Sequence, residues 1–229
     1  MKHSAHMIKG ILFDFNGTLY LDDDINEATW RDTIKDLSEG QIDFDSFYPR
    51  FQGIPNARQI KAALEICGKE CNDTIIERWS KEKERKYRQY CIDHKRNQLN
   101  KGAEELLDYL KDRGYVLNLC TASIIENVEF YFKNVGLDRW FDIKKASYDD
   151  GFSIDKEAMY RKCAKNIGID MKDVLVFEDT DASIRHAINA GCNNVVAIRR
   201  PETPNLTQIR QVIDDFTQFD RNLLDILNK

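Results

Sequence analysis

Along the chain, short and almost wholly apolar runs alternate with longer stretches whose apolar residues recur every three or four positions. Ile8 to Phe15 (IKGILFDF), Val116 to Cys120 (VLNLC), Val174 to Phe177 (VLVF) and Val195 to Ile198 (VVAI) are the short runs. Such runs are too brief for helices, and they suit strands of a parallel sheet, which are buried on both faces. Between them, Ala103 to Arg113 sets Leu106, Leu107 and Leu110 on one helical face and stops at Gly114, a natural C-cap. Glu126 to Val135, Lys156 to Ile167 and Ala182 to Ala190 repeat the design, with Gly136, Gly168 and Gly191 close behind. The alternation predicts an α/β fold, a doubly wound, Rossmann-like parallel sheet.

One stretch breaks the rhythm. From about Tyr20 to Asn100 the pattern is helical throughout, over Ile25 to Leu37, Phe44 to Phe51, Ala57 to Cys67 and Thr74 to Asp93. The expected organisation is an α/β core of residues 8–19 and 101–229, interrupted after its first strand by an all-helical cap of residues 20–100. The charged run Lys81 to Arg88 reads as the solvated face of the last cap helix. Gln52 to Asn56 is a loop expected to reach towards the sheet, and Gly102 a hinge at the return into the core. Asn205 to Asn228 reads as an amphipathic helix packed on the core, and Met1 to His6 stand outside the fold.

Composition narrows the classes. A net charge of -5 offers no basic excess for a nucleic-acid partner, though a local positive site for a small phosphorylated ligand is compatible with it. No apolar stretch reaches the roughly 20 residues of a membrane span, and the N-terminus lacks the apolar segment of a signal peptide. The six cysteines form no disulfide framework; Cys67, Cys71, Cys91 and His94 have helical spacing but not close zinc-ligand spacing, and read as reduced thiols. A cytoplasmic protein, monomeric by default, is expected.

Three strand ends carry polar clusters: Asp14-Phe15-Asn16-Gly17-Thr18, Cys120-Thr121-Ala122-Ser123 and Glu178-Asp179-Thr180-Asp181. Each alone is an ordinary turn or N-cap. Brought together at the carboxyl edge of one sheet, they place several carboxylates where ligands bind, an arrangement that calls for a cation. Hard oxygen donors point to Mg²⁺, and beside it a carboxylate can attack phosphorus. No G-x-S-x-G turn, glycine-rich dinucleotide loop or P-loop competes with this reading.

The FDFNGTL opening, the TAS triplet, the GLDRWFD and YDDG segments and FEDT before an AGC turn resemble the haloacid dehalogenase superfamily. The likeness runs from Ile8 to about Ile198 and is greatest to the helical-cap branch holding β-phosphoglucomutases and phosphatases. It implies Asp14 as nucleophile and Thr121 as a phosphoryl-binding hydroxyl, with Thr18, Ala122 and Ser123 beside it. Lys156 is implied as the neutralising lysine, although the Pro-rich sequence usual after it is missing and Lys144 or Lys145 are alternatives. The implied metal ligands are Asp14, the backbone carbonyl of Asn16, Glu178 and Asp179, and the cap would add Gly53 and Trp30 to the substrate contacts. For Trp30, plain packing on an amphipathic helix is an equal alternative.

The main departure is Asn16, where the family's phosphatases and mutases carry an acid/base aspartate. An amide cannot shuttle a proton. Three readings follow: a slow enzyme needing good leaving groups or another proton donor, a silent phospholigand-binding relative, or an asparagine introduced to hold a complex. The cap histidine and arginine of the mutases are also replaced, by Asn26 and by Asn56 or nothing, which favours a phosphatase over a sugar-phosphate mutase. The function expected first is thus Mg²⁺-dependent hydrolysis of a small phosphorylated metabolite through an aspartyl phosphate.

Overall fold

The apolar runs form strands, three of them buried along their whole length. The computed structural model describes residues 7–150, 155–198 and 206–229. The strands are β1 (Gly10–Phe13), β2 (Val116–Ile124), β3 (Ser147–Asp149), β4 (Val174–Glu178), β5 (Asn194–Ile198) and β6 (Ile209–Ile213). They build one sheet in the order β3-β2-β1-β4-β5-β6, with every neighbouring pair parallel. β1 is central and fully buried, as are β4 and β5, and these are the strands whose sequences are continuous apolar runs.

β1 is also where the strand order reverses. Later strands are added on one side as β2 and β3 and on the other as β4, β5 and β6. The register pairs Phe13 with Leu119 and with Phe177, so the ends of β2, β1 and β4 lie side by side. In open α/β sheets this reversal point is where ligands bind.

Chain contacts divide the molecule into two compact units, residues up to Leu21 with Gln98–Lys229, and Asp22–Asn97. In the first, the sheet is accompanied by α5 (Ala103–Asp112), α6 (Ile125–Val135), α7 (Lys156–Asn166), α8 (Asp181–Asn189) and α9 (Asn222–Leu227). The second holds α1 (Asp23–Ser38), α2 (Phe44–Phe51), α3 (Asn56–Ile66) and α4 (Asp73–Asp93). Its own apolar cluster contains Trp30, Ile34, Leu37, Phe47, Ile60 and Leu64, so it has an independent core.

The C-terminal expectation is corrected. Within 205–228, residues 206–228 are described, and they form strand β6, a 3-10 turn over Phe216–Gln218 and the short α9 instead of one helix. β6 alternates between half-buried and exposed positions and occupies the sheet edge, where a period of two replaces the helical one. Phe216 and Phe219 then turn inward onto Phe177, at 5.6 and 5.3 Å between ring centroids.

Gly102 meets this segment closely. Its φ is +78°, and a Cβ there would lie 2.7 Å from the backbone nitrogen of Thr217. Gly102→Ala is therefore expected to destabilise the protein by about 2–4 kcal/mol, from the left-handed backbone and the overpacking together. Denaturant unfolding checks this; an unchanged midpoint contradicts it.

Candidate active site

Asp14 follows β1 directly, and its N–H still bonds the Phe177 carbonyl of β4 at 3.0 Å. The chain then turns tightly: Thr18 and Tyr20 both donate to the Phe15 carbonyl, at 3.2 and 2.9 Å, and Gly17, at φ +79°, donates to Tyr20 at 2.7 Å. A Cβ at Gly17 would be strained at that φ, which explains glycine here. Asn100 donates its side-chain N–H to the Thr18 carbonyl at 3.1 Å and holds the turn from behind.

Lys156 opens α7, whose N-cap Asp155 accepts the Ala158 N–H at 2.9 Å. The start of a helix is unfavourable for a cation. Lys156 is held there by two carboxylates, with Nζ 2.6 Å from Asp14 Oδ1 and 3.0 Å from Glu178 Oε2. The side chains of Asp14 and Glu178 are 5% and 0% exposed, and that of Lys156 12%, so the interaction is little screened. Lys144 and Lys145 lie on the exposed turn before β3, away from this pair. Of the YDDG segment that precedes Lys156, Gly151 lies outside the described residues.

Two tyrosines complete the site, and the sequence reading missed both. Tyr160 donates its hydroxyl to Glu178 Oε2 at 2.5 Å, so one carboxylate oxygen takes both the lysine and the phenol. Burial and the neighbouring Glu178 push the Tyr160 phenol well above its usual pKa, which keeps it a donor. Its place four residues after Lys156, on the same helix face, was the available signal. Tyr131, on α6, stacks on Phe15 at 4.2 Å and accepts the Asn16 side-chain N–H at 3.1 Å. No sequence signal singled it out.

The β2 end presents hydroxyls to the β1 end. Ser123 donates to Asn16 Oδ1 at 2.8 Å, Thr121 reaches the same oxygen at 3.4 Å, and Thr121 Oγ1 accepts the Ser123 N–H at 3.2 Å. Ala122 between them is exposed. Thr18 Oγ1 lies 3.4 Å from Asp179 Oδ1. These contacts form three groups at the adjoining ends of β2, β1 and β4: Asp14–Lys156–Glu178, Asn16–Thr121–Ser123 and Thr18–Asp179. Gly53 is exposed in the turn between α2 and α3, at φ +81°. Trp30 is 2% exposed within the helical unit's cluster, with Lys83 Nζ 5.3 Å from its ring centroid.

Residues 8–191 match the haloacid dehalogenase-like hydrolase family. The chain belongs to that family. It is 25% identical over 193 residues to YhcW of Bacillus subtilis (strain 168), a provisionally named phosphatase, with 83% of each chain covered. The crystal structure of a family IA, variant 3 hydrolase from Entamoeba histolytica HM-1:IMSS superposes with a TM-score of 0.84 at 27% identity, covering 96% of this chain and 99% of that one. The β-phosphoglucomutase of Clostridium difficile, at 22% identity, shares the fold with a TM-score of 0.76 over 97% of each chain. No helix among the described residues of this hydrolase is long and apolar enough to cross a membrane.

The charge balance of the site tests its fit to a metal. Asp14, Glu178 and Asp179 each offer an oxygen, all within 4.8 Å of one another. Lys156 is paired with Asp14 and Glu178. Burial, then Glu178 and Asp179, raise the Asp14 pKa against the opposing pull of Lys156. For Lys156, burial disfavours the charged form, but Asp14 and Glu178 outweigh it and its pKa rises. An additional divalent cation with a preference for oxygen donors fits this site.

The raised carboxyl carries a stability consequence in the metal-free protein. A raised folded-state pKa contributes stability below the unfolded value of about 3.9, lost as pH rises through the folded pKa. Asp14→Asn is therefore expected to match the native protein near pH 4 and to exceed it in stability at pH 8, without metal. Thermal melts across that range check it; a native protein more stable than the variant at pH 8 contradicts it.

Proposed function

We infer that this hydrolase is a Mg²⁺-dependent phosphatase for a small phosphorylated metabolite and works through an aspartyl phosphate on Asp14. The observation that carries the reading is the buried ion cluster of Asp14, Lys156, Glu178 and Asp179 beside the Thr121 and Ser123 hydroxyls. Carboxylates buried this close together are costly to ionise, and their oxygens suit a cation bound together with a phosphoryl group.

Asp14, Glu178, Asp179 and the Asn16 carbonyl would hold Mg²⁺, which supplies Lewis-acid charge compensation at the phosphoryl oxygens. Lys156 favours the ionised form of Asp14 against burial and holds it in position, while Glu178 and Tyr160 flank the cluster from its other side. An Asp14 carboxylate oxygen attacks phosphorus, and the leaving oxygen takes the electrons of the broken P–O bond. Thr121, Ser123 and the chain about Ala122 offer donors to the phosphoryl oxygens as charge moves among them. Water then cleaves the aspartyl phosphate and regenerates Asp14. Thr18 braces Asp179, and Gly53 and Trp30 are proposed contributions of the helical unit to substrate choice.

Hydrolysis is preferred to a phosphoryl shift within a sugar phosphate. A shift requires an acid and a base to serve two sugar hydroxyls, and Asn16 is neither. A non-catalytic phospholigand binder has no evident use for so costly a buried cluster. The six free cysteines accord with a reducing, cytoplasmic setting.

With p-nitrophenyl phosphate, turnover is expected to need Mg²⁺, to disappear in Asp14→Ala and to fall about 10²- to 10³-fold in Lys156→Ala. Mass spectrometry of acid-quenched protein should find phosphate on Asp14. Metal-independent turnover, or turnover that survives Asp14→Ala, overturns the mechanism.

A further inference from the structure

Asn16 is built into its surroundings at both ends of its amide. The Nδ2 group donates to the Tyr131 hydroxyl at 3.1 Å, and the Ser123 hydroxyl donates to Oδ1 at 2.8 Å. The third side is closed by Ser123 Oγ and Tyr131 OH at 3.2 Å. With the Ser123 proton turned to Asn16, the Tyr131 proton turns to Ser123. Amide to phenol, phenol to alcohol and alcohol to amide then form a ring in which all three donations run the same way. Each donation strengthens the next.

The ring is also anchored. Tyr131 is 1% exposed and stacks on Phe15, which stacks in turn on Tyr20 at 5.2 Å. Phe15 and Tyr20 belong to the turn that follows Asp14, so the ring is part of the nucleophile's own loop.

An amide does not ionise, and an alcohol or a phenol holds its proton at neutral pH. The carboxylates nearby act as acceptors: Glu178 Oε2 takes Lys156 and Tyr160, and Asp179 lies within reach of the Thr18 hydroxyl. Donors that steady negative charge are therefore at hand, while both hydroxyl protons of the ring beside Asp14 are already donated within it and belong to groups that do not ionise near neutral pH.

We propose that the Asn16–Ser123–Tyr131 ring fits this site to phosphoryl donors whose leaving group departs as a stable anion, namely acyl phosphates. This rests on Asp14 being the nucleophile, as inferred above. An Asp14 oxygen bonds to phosphorus, the bridging P–O bond breaks, and its electron pair stays on the departing carboxylate, so no proton is required. The exchange trades one acyl phosphate for another. Water then attacks phosphorus and the Asp14–phosphorus bond breaks towards the carboxylate. Of the two water protons, one stays on the new phosphate oxygen and the other passes to a phosphoryl oxygen or to solvent. Carboxylic acids have pKa values near 4 and phenols near 10. Alkanols lie higher still and need protonation as they leave.

The test compares kcat/KM for acetyl phosphate, phenyl phosphate and glucose 6-phosphate with Mg²⁺ present, in the native protein and in Asn16→Asp. The native protein should prefer acetyl phosphate over glucose 6-phosphate by about 10²- to 10⁴-fold, the range attached to a missing general acid. Asn16→Asp should narrow that ratio at least tenfold, chiefly by raising turnover of the sugar phosphate. A native ratio within tenfold, or a ratio unmoved in Asn16→Asp, overturns the acyl-phosphate inference and leaves the phosphatase reading standing. Turnover of none of the three, with no phosphate on Asp14, overturns both.

Discussion

The buried contact between Lys156 and the carboxylates of Asp14 and Glu178 is the interaction on which the rest of the site depends. At 2.6 and 3.0 Å it ties the end of β1 to the end of β4 through the first residue of α7, so three elements meet at one nitrogen. Removing the lysine would leave two buried carboxylates facing one another beside Asp179, a far larger cost than losing an exposed pair. Nor does the lysine settle the site alone, because burial, with Glu178 and then Asp179, still raises the Asp14 pKa. Buried oxygen donors held this close together form a site pre-organised for a ligand.

The fold serves this arrangement by putting the reversal of strand order at β1. Because β1 pairs with both β2 and β4, the residues after Phe13, Leu119 and Phe177 emerge side by side. Stacking of Phe13 on Phe177 at 4.8 Å fixes that alignment just beneath the polar edge. Asn118 works from the second row, its side chain bonding the carbonyls of Lys145 and Cys163 and so joining β2 to the approach to β3 and to α7. Apolar and amide contacts below the candidate site thus hold the strand ends in register.

Most of this was legible in the sequence for a physical reason. Strands buried on both faces must be apolar throughout, so β1, β4 and β5 and the apolar start of β2 stood out, and the glycines behind α5, α6, α7 and α8 marked where each helix ends. The edge strands did not stand out. β3 spans three residues, and β6 has an alternating pattern next to Phe216 and Phe219 that imitates one helical face. Charged site residues were legible from their positions at strand ends. Tyr131 and Tyr160 were not, since an aromatic residue on an amphipathic helix looks like core until its hydroxyl is seen to have a partner, and here both rings pack in the core while their oxygens serve the site.

The two tyrosines divide the site into halves with different electrostatic characters. Tyr160 strengthens the charged half, because its proton goes to the carboxylate oxygen that also holds the lysine. Tyr131 strengthens the neutral half, closing a ring of an amide and two hydroxyls that carries no net charge. Asp14 and Asn16 are two residues apart on one turn, so Asp14 faces the charged half while Asn16 is held in the neutral one. Replacing the amide by a carboxylate would bring a further negative charge close to three buried carboxylates, with Lys156 committed to two partners. The asparagine is thus consistent with its electrostatic surroundings, and the proposed chemistry, which asks no proton of that position, accords with the same constraint.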